Sequence, residues 1–209
     1  MRGKFIVFEG IDGCGKSTQI NILSRFLFDL SKKNHVLITR EPTLQSEQGI
    51  QLNKLLKNQT GLAESEVFLN LFVGDRRHHI ENLINPTLEY GGIVICDRYI
   101  LSTLAYQQAQ GQNLNNMIAK HRGLPVPDLT LLFDISPEHA MQRIDDSGRD
   151  QKTLFEKIEF LKKVRLNYLE LSERLPEHKV RIIDASRSIE EIHKKILEVI
   201  KKERLFEDI

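Results

Sequence analysis

The chain has 209 residues, 40% of them hydrophobic and 28% charged, with a formal net charge of +1; these are ordinary values for one globular domain with a sizeable core. A balance so near zero gives no signal for nucleic acid or any other polyanion, so phosphate binding has to come from Arg and Lys placed locally. No apolar run is long enough to span a bilayer, the first predicted strand leaves no room for a signal peptide, and the only cysteines are Cys14 and Cys96, which together point to a cytoplasmic protein with two plain thiols rather than to a membrane or disulfide-built one.

Residues 4–9, Lys-Phe-Ile-Val-Phe-Glu, read as a short buried strand. Directly after it comes Gly10-Ile11-Asp12-Gly13-Cys14-Gly15-Lys16-Ser17-Thr18, in which two glycines five apart are followed by Lys-Ser. Helical spacing then runs from Ser17 to about Leu30, with Ile20, Leu23, Phe26 or Leu27, and Leu30 on one face. Strand, glycine-rich loop and helix in this order make a phosphate-binding loop. Its glycines let backbone N–H groups turn inward, and the helix start adds partial positive charge. Lys16 is placed to reach the β- and γ-phosphates of a nucleotide, and the Ser17 hydroxyl to ligate Mg²⁺.

A second strand is predicted over 35–39, followed by Arg40-Glu41-Pro42. A long helix is predicted over 64–90, bent near Gly74 and Pro86, with Val67, Leu71, Phe72, Ile80, Leu83 and Ile84 in apolar positions. Strands over 92–96, 129–133 and 180–183 follow, closed by Asp97-Arg98-Tyr99, by Asp134 and by Asp184-Ala185-Ser186. The charged segment 143–150 reads as a mobile loop; helical spacing resumes over 155–171, and a last helix carries Ile189, Ile192, Ile196, Val199 and Ile200. The alternation predicts an α/β fold, a five-stranded parallel sheet with helices on both faces, in one domain spanning 1–209. Such a sheet binds ligands at the carboxyl ends of its strands, where these polar residues gather.

Asn53-Lys54-Leu55-Leu56 lacks the acid of a guanine-reading motif, and Asp97-Arg98 replaces the Asp-Glu pair that polarises water for hydrolysis. An Asp there can hold a Mg²⁺ shell, and an Arg beside it a second phosphate. Phosphoryl transfer needs positioning and charge neutralisation above all, so the pattern suggests transfer to a phosphorylated acceptor. Phe72 and Arg76, four apart, share a helix face and offer an aromatic plane with a hydrogen-bond donor to one base. His78 and His79 point to different faces and have no neighbours to complete a metal site.

Taken together, Phe8 through Gln19, Thr39-Arg40-Glu41-Pro42, Leu71-Phe72 with Asp75-Arg76, Asp97-Arg98-Tyr99 with Ser102, Ala105, Tyr106 and Gln107, Gly123-Leu124-Pro125 with Pro127-Asp128-Leu129, and Asp184-Ala185-Ser186 resemble the thymidylate kinase family over about residues 4–200. The resemblance implies the phosphate-loop nucleotide kinase fold, the phosphorylation of dTMP to dTDP by ATP with Mg²⁺, and a homodimer. ATP would be held by residues 10–18 and Arg143, and Mg²⁺ by Ser17 and Asp97. For dTMP it implies Phe72 and Arg76 at the base, Tyr106 against the sugar C2′, and Asp12 near the 3′-hydroxyl. Arg98 would take the acceptor phosphate, with Pro42, Ser102, Thr103 and Gln107 as further contacts. Arg40 either reaches that phosphate or is held by Glu41. The segment 143–151 would be a lid over ATP. Because Gly13 occupies the loop position where some members carry a catalytic arginine, Arg149, or failing it Arg143, would supply that charge beside Lys16, Arg98 and Asp97.

The chain departs from many bacterial members after Arg-Glu-Pro, where 43–49 reads Thr-Leu-Gln-Ser-Glu-Gln-Gly instead of beginning Gly-Gly-Thr, and in a lid that carries Asp145, Asp146 and Asp150. Two other readings stay open: a kinase for another acceptor, such as dUMP or a deoxynucleoside, and a nucleotide-binding module with slow turnover.

Overall fold

Apolar runs that end in a polar residue become five strands: β1 (Lys4–Glu9), β2 (Val36–Arg40), β3 (Ile93–Asp97), β4 (Leu129–Asp134) and β5 (Val180–Asp184). In the computed structural model, which describes residues 2–58, 66–144 and 151–206, they lie in the order β2-β3-β1-β4-β5 and every pairing is parallel. Central β1 is buried along Phe5–Phe8, while the edge strands leave Ile38 and Ile182 about half exposed, as expected for a sheet covered on both faces. Each strand runs to the polar residue that closes it. The register sets Phe8 and Arg40 beside Asp97, and Asp134 beside Asp184. From β1 the chain crosses to β2 on one side of the sheet and later builds β4 on the other. This reversal opens a crevice at the carboxyl ends.

The helices are α1 (Lys16–Leu30), α2 (Glu47–Asn58), α3 (Glu66–His79), α4 (Asn85–Glu89), α5 (Ile100–Ala109), α6 (Leu114–Lys120), α7 (Pro137–Arg143), α8 (Gln151–Arg174) and α9 (Ile189–Lys202). Helix α1 buries Ile20, Leu23 and Leu27, so Leu27 rather than Phe26 belongs to its inner stripe. Helix α9 starts with a capping box between Ser188 and Glu191 and buries Ile192, Ile196, Val199 and Ile200, and Gln19 Nε2 donates to the Ile189 carbonyl at 2.8 Å to tie it to α1.

The long helix expected over 64–90 differs in where it yields. Helix α3 passes Gly74 without a break, and the glycine serves packing instead: the Gln48 side chain of α2 lies so close that a Cβ would stand 3.0 Å from its Cγ. The irregularity is a π-helical turn, Ile80–Ile84, in which Asn85 N–H reaches back to the Ile80 carbonyl. Pro86 follows in the first turn of α4; it has no N–H for a carbonyl four residues back, and the widened turn absorbs that loss. Helix α2 begins at Glu47, inside the divergent 43–49 stretch. Among the described residues no helix is long and apolar enough to cross a membrane.

Candidate active site

Gly10 turns the chain off β1 with φ 137°, so close under β4 that a Cβ would stand 2.6 Å from the Phe133 carbonyl oxygen. Gly13, with φ 79°, would bring a Cβ within 2.3 Å of the Ala140 carbonyl oxygen in α7. Helix α1 starts after Gly15 with no side-chain cap, which leaves its first N–H groups turned into the loop, the arrangement that binds anions. Ile11, Cys14 and Lys16 are buried, whereas Asp12, Ser17 and Thr18 face out at the mouth. Lys16 Nζ donates to the Gly10 and Ile11 carbonyls at 3.0 and 3.1 Å. Cys14 and Cys96 are both buried and unbridged.

Arg98, just past β3, has φ 71°, an uncommon conformation for a residue with a side chain, and its N–H donates to the Phe8 carbonyl at 2.9 Å. The guanidinium is thereby turned back over the phosphate loop. Nη2 meets Asp12 Oδ1 at 2.7 Å and Tyr106 Oη at 3.4 Å, and Nη1 meets Ser102 Oγ at 3.0 Å and Tyr168 Oη at 3.3 Å. Its carbon lies 5.2 Å from the Tyr106 ring centre. Burial works to raise the Asp12 pKa, but Arg98 and Lys16 outweigh it and hold the carboxyl below its usual value. Burial pushes the Tyr106 phenol up to about 12, so it is a neutral donor at working pH.

Behind Arg98 lies a group that the motifs did not single out. Glu9, fully buried at the end of β1, accepts from the Tyr99 and Ser102 N–H groups at 2.9 and 3.2 Å, from Tyr168 Oη at 3.1 Å and from the Ser102 hydroxyl. Burial raises its pKa, opposed by the Ser102 hydrogen bond and the Arg98 charge. Tyr168 comes from α8, which Arg165 pins to the end of β4 through two bonds to Asp134 at 2.6 and 2.8 Å. An acid closing an otherwise apolar strand was the available sequence signal for Glu9; Tyr168 had none beyond helical spacing.

A cleft of about 230 Å³ opens beside Arg98, lined by Asp12, Glu41, Pro42, Phe72, Arg76, Arg98, Ser102, Thr103, Tyr106 and Gln107, with Leu56, Phe68, Tyr99 and Gln110. Phe72 packs edge-on to Phe68, ring centres 5.3 Å apart, to give the cleft an apolar wall. Arg76 is 1% exposed. Its Nε donates to Glu41 Oε2 at 2.6 Å and its Nη2 to Thr103 Oγ1 at 2.9 Å, while its Nη1 lies 2.6 Å from His121 Nε2. Three of its five donors are thus committed. Glu41 also binds His79 Nδ1 at 2.9 Å, so it serves Arg76 and His79, not Arg40. Gln107 Nε2 donates to Gln110 Oε1 at 2.6 Å, which leaves Gln107 Oε1 buried with no partner among the described residues.

Arg40 faces a second cavity, of about 440 Å³, with Ser17, Asn21, Pro42, Thr43, Gln45 and Asp97 among its lining. Asp97 Oδ1 is buried there with no hydrogen-bond partner among the described residues. Asp97 with its orphaned carboxylate oxygen and Ser17 with its hydroxyl line the same cavity, and oxygen donors of this kind are the chemistry that suits Mg²⁺, which takes few protein ligands. The divergent stretch that follows Pro42 is held by Asp75, which accepts from Thr43 N–H at 2.7 Å, from Ser46 Oγ at 2.6 Å and from the Thr43 hydroxyl. Gly49 fits closely against this anchor, since a Cβ would stand 2.2 Å from the Thr43 carbonyl oxygen. Of the two expected lid arginines, Arg143 ends α7 with its Nη1 3.8 Å from where a Gly15 Cβ would be; Arg149 lies outside the described residues.

Asp12 belongs to the phosphate loop and reaches Arg98 in the cleft, so a nucleotide cradle and a pocket for a second molecule share one wall. A fold with that adjacency at the ends of parallel strands is a phosphate-loop nucleotide kinase. Within that class the thymidylate kinase family model matches residues 8–196, and the chain belongs to the thymidylate kinase family. It is 42% identical over 210 residues to a probable thymidylate kinase of Pyrococcus horikoshii, covering 98% of this chain and 99% of that one. It is 43% identical over 210 residues to a probable thymidylate kinase of Methanococcoides burtonii, with 96% and 97% covered. A thymidylate kinase of Desulfotalea psychrophila is 39% identical over 200 residues, with 96% and 95% covered.

Proposed function

We propose that this chain transfers the γ-phosphoryl group of ATP to dTMP, giving ADP and dTDP. Beyond family membership, the observation that carries the reading is the pairing of hydrogen-bond types in the cleft. Arg76, which carries donors, and Gln107, whose Oε1 is a buried acceptor without a partner among the described residues, both line a cavity with an aromatic wall at Phe72. Thymine presents an acceptor at O4 beside a donor at N3. Cytosine presents the opposite at both atoms and would leave two buried groups unpaired, a discrimination of several kcal/mol in sites of this kind.

The remaining roles are proposed with it. The loop N–H groups and Lys16 hold the ATP phosphates, and Arg98 takes the acceptor phosphate, oriented by Asp12, Ser102 and Tyr168. Tyr106 packs on the sugar and Arg40 stands on the metal side of Pro42. Mg²⁺ at Ser17 and Asp97 would supply charge neutralisation of the β- and γ-phosphate oxygens. With no room for a side chain at Gly13, arginine charge at the transferring group comes from a lid over 143–151, Arg149 first and Arg143 second. Arg149→Ala is then expected to lower kcat more than it raises KM. A homodimer is proposed on the family resemblance, supported by exposed Ile50 and Val67 on the paired helices α2 and α3; sedimentation of the purified protein tests it. A cytoplasmic location is proposed with it.

The deciding experiment is ADP release with ATP, Mg²⁺ and a panel of dTMP, dUMP, dCMP, dGMP, UMP and thymidine. Selective turnover of dTMP is expected. Preference for any other acceptor, or binding without turnover, would overturn the reading.

A further inference from the structure

We propose that His121 is a positioning residue for base recognition: its imidazole, acting as a hydrogen-bond acceptor, holds the Arg76 guanidinium in the orientation that meets the acceptor base. The inference rests on the reading of Arg76 given above and extends it to a residue outside every motif.

The chemistry leaves one arrangement. A guanidinium can only donate, so the 2.6 Å contact between Arg76 Nη1 and His121 Nε2 requires a lone pair on Nε2 and the ring proton on Nδ1. That proton has a partner, because Nδ1 lies 2.7 Å from the Met117 carbonyl oxygen. Met117 is one helical turn earlier in α6, and His121 is the residue that ends that helix. The helix end thus selects the tautomer and presents Nε2 to an arginine 45 residues away in sequence. Burial first, and then the Arg76 charge, depress the His121 pKa to about 3, with smaller contributions from His178 and Arg77. The ring is therefore neutral, and it adds direction to Arg76 without adding or cancelling charge.

His121 is 6% exposed and also lines a cavity of about 210 Å³ with Arg122, Leu124, Leu175, Glu177 and His178 among others. The two hydrogen bonds set the angle of its ring. Glu41 grips Arg76 at Nε and Thr103 at Nη2; His121 supplies the third point, at Nη1, that stops the fork from rotating.

The test is the KM for dTMP and for ATP in His121→Leu, Arg76→Ala and the double variant, each checked for folding by thermal melting. His121→Leu is expected to raise the dTMP KM about tenfold, the size of one lost buried hydrogen bond, and to leave the ATP KM within about twofold. In the Arg76→Ala background the same change is expected to add nothing, the signature of action through Arg76. An equal rise in both KM values, or full additivity in the double variant, would overturn the proposal. So would an unchanged dTMP KM in His121→Leu while Arg76→Ala raises it, which removes His121 and leaves Arg76 in place. If Arg76→Ala itself leaves the dTMP KM unchanged, the reading of Arg76 falls and this inference with it. Should His121→Leu not fold, His121→Gln and His121→Asn decide: the longer amide carries an acceptor to the Nε2 position and is expected to keep the dTMP KM within about threefold, the shorter to raise it, and equal values would overturn the role.

Discussion

Arg98 leaves 18% of its side chain exposed and pairs with an Asp12 side chain that is 62% exposed, whereas Arg76 and its carboxylate partner Glu41 show 1% and 3%. Among the described residues, the other hydrogen-bond partners of Arg98 are the hydroxyls of Ser102, Tyr106 and Tyr168, and the buried Glu9 is linked to it through two of those hydroxyls. Arg76 sits between Glu41, Thr103 and a neutral His121. Two arginines in one cleft are thus prepared for different work. A guanidinium whose carboxylate partner stands exposed at the cleft mouth stays open to an incoming anion. One matched to a buried carboxylate has its charge balanced in place and serves as a directional donor.

The contrast can be broken or sharpened in descending order of effect. Arg76→Ala leaves Glu41 a buried carboxylate beside His79 alone, and a loss of about 3–5 kcal/mol in unfolding free energy is expected. Arg98→Ala is expected to cost far less stability but to lower kcat/KM for dTMP about 10²–10³-fold. Denaturant titration of both variants checks the pair, and equal destabilisation would erase the distinction.

Next comes pH. His121 has a folded pKa of about 3 against an ordinary 6.5, so below pH 6.5 the unfolded chain takes up a proton that the native ring refuses. Stability is therefore lost as pH falls from about 6.5 toward 3, and this side chain alone accounts for about 2 kcal/mol between pH 7 and pH 5. His121→Leu is expected to flatten the stability curve by that amount over this interval, and an unchanged slope would contradict a buried neutral ring. The smallest effect is at Thr103→Val, which removes one neutral partner of Arg76; a loss of about 1 kcal/mol and a few-fold rise in the dTMP KM are expected, measured in the same assays.

Legibility followed sequence distance. The phosphate loop, the Asp97-Arg98 strand end and the Phe72 and Arg76 pair each lie within one short segment, where backbone geometry alone brings the side chains together. Adjacency in sequence suggests Glu41 as a holder of Arg40, yet it binds Arg76 and His79, because the turn after β2 sends it into the core while Arg40 faces the second cavity. The divergent stretch after Pro42 looked like a loss of pattern; its Thr43 and Ser46 hydroxyls are in fact the anchor on Asp75. Glu9 lies inside the Phe8–Gln19 motif with no role readable from it, and Tyr168 and His121 belong to no motif; the groups that fix them from afar, Tyr99, Ser102 and Arg76, come from other elements.

The sequence by itself determined the alternation of strands and helices, the ends at which polar residues collect, and the glycine-rich loop with its lysine between β1 and α1, since all of these depend on local conformation and periodicity. Only the tertiary structure decided which arginine stays open to an anion and which has its charge balanced by a buried carboxylate. That outcome depends on desolvation and on acceptors from α5, α6, α8 and the turn after β2, and no residue spacing along one segment encodes where those elements converge.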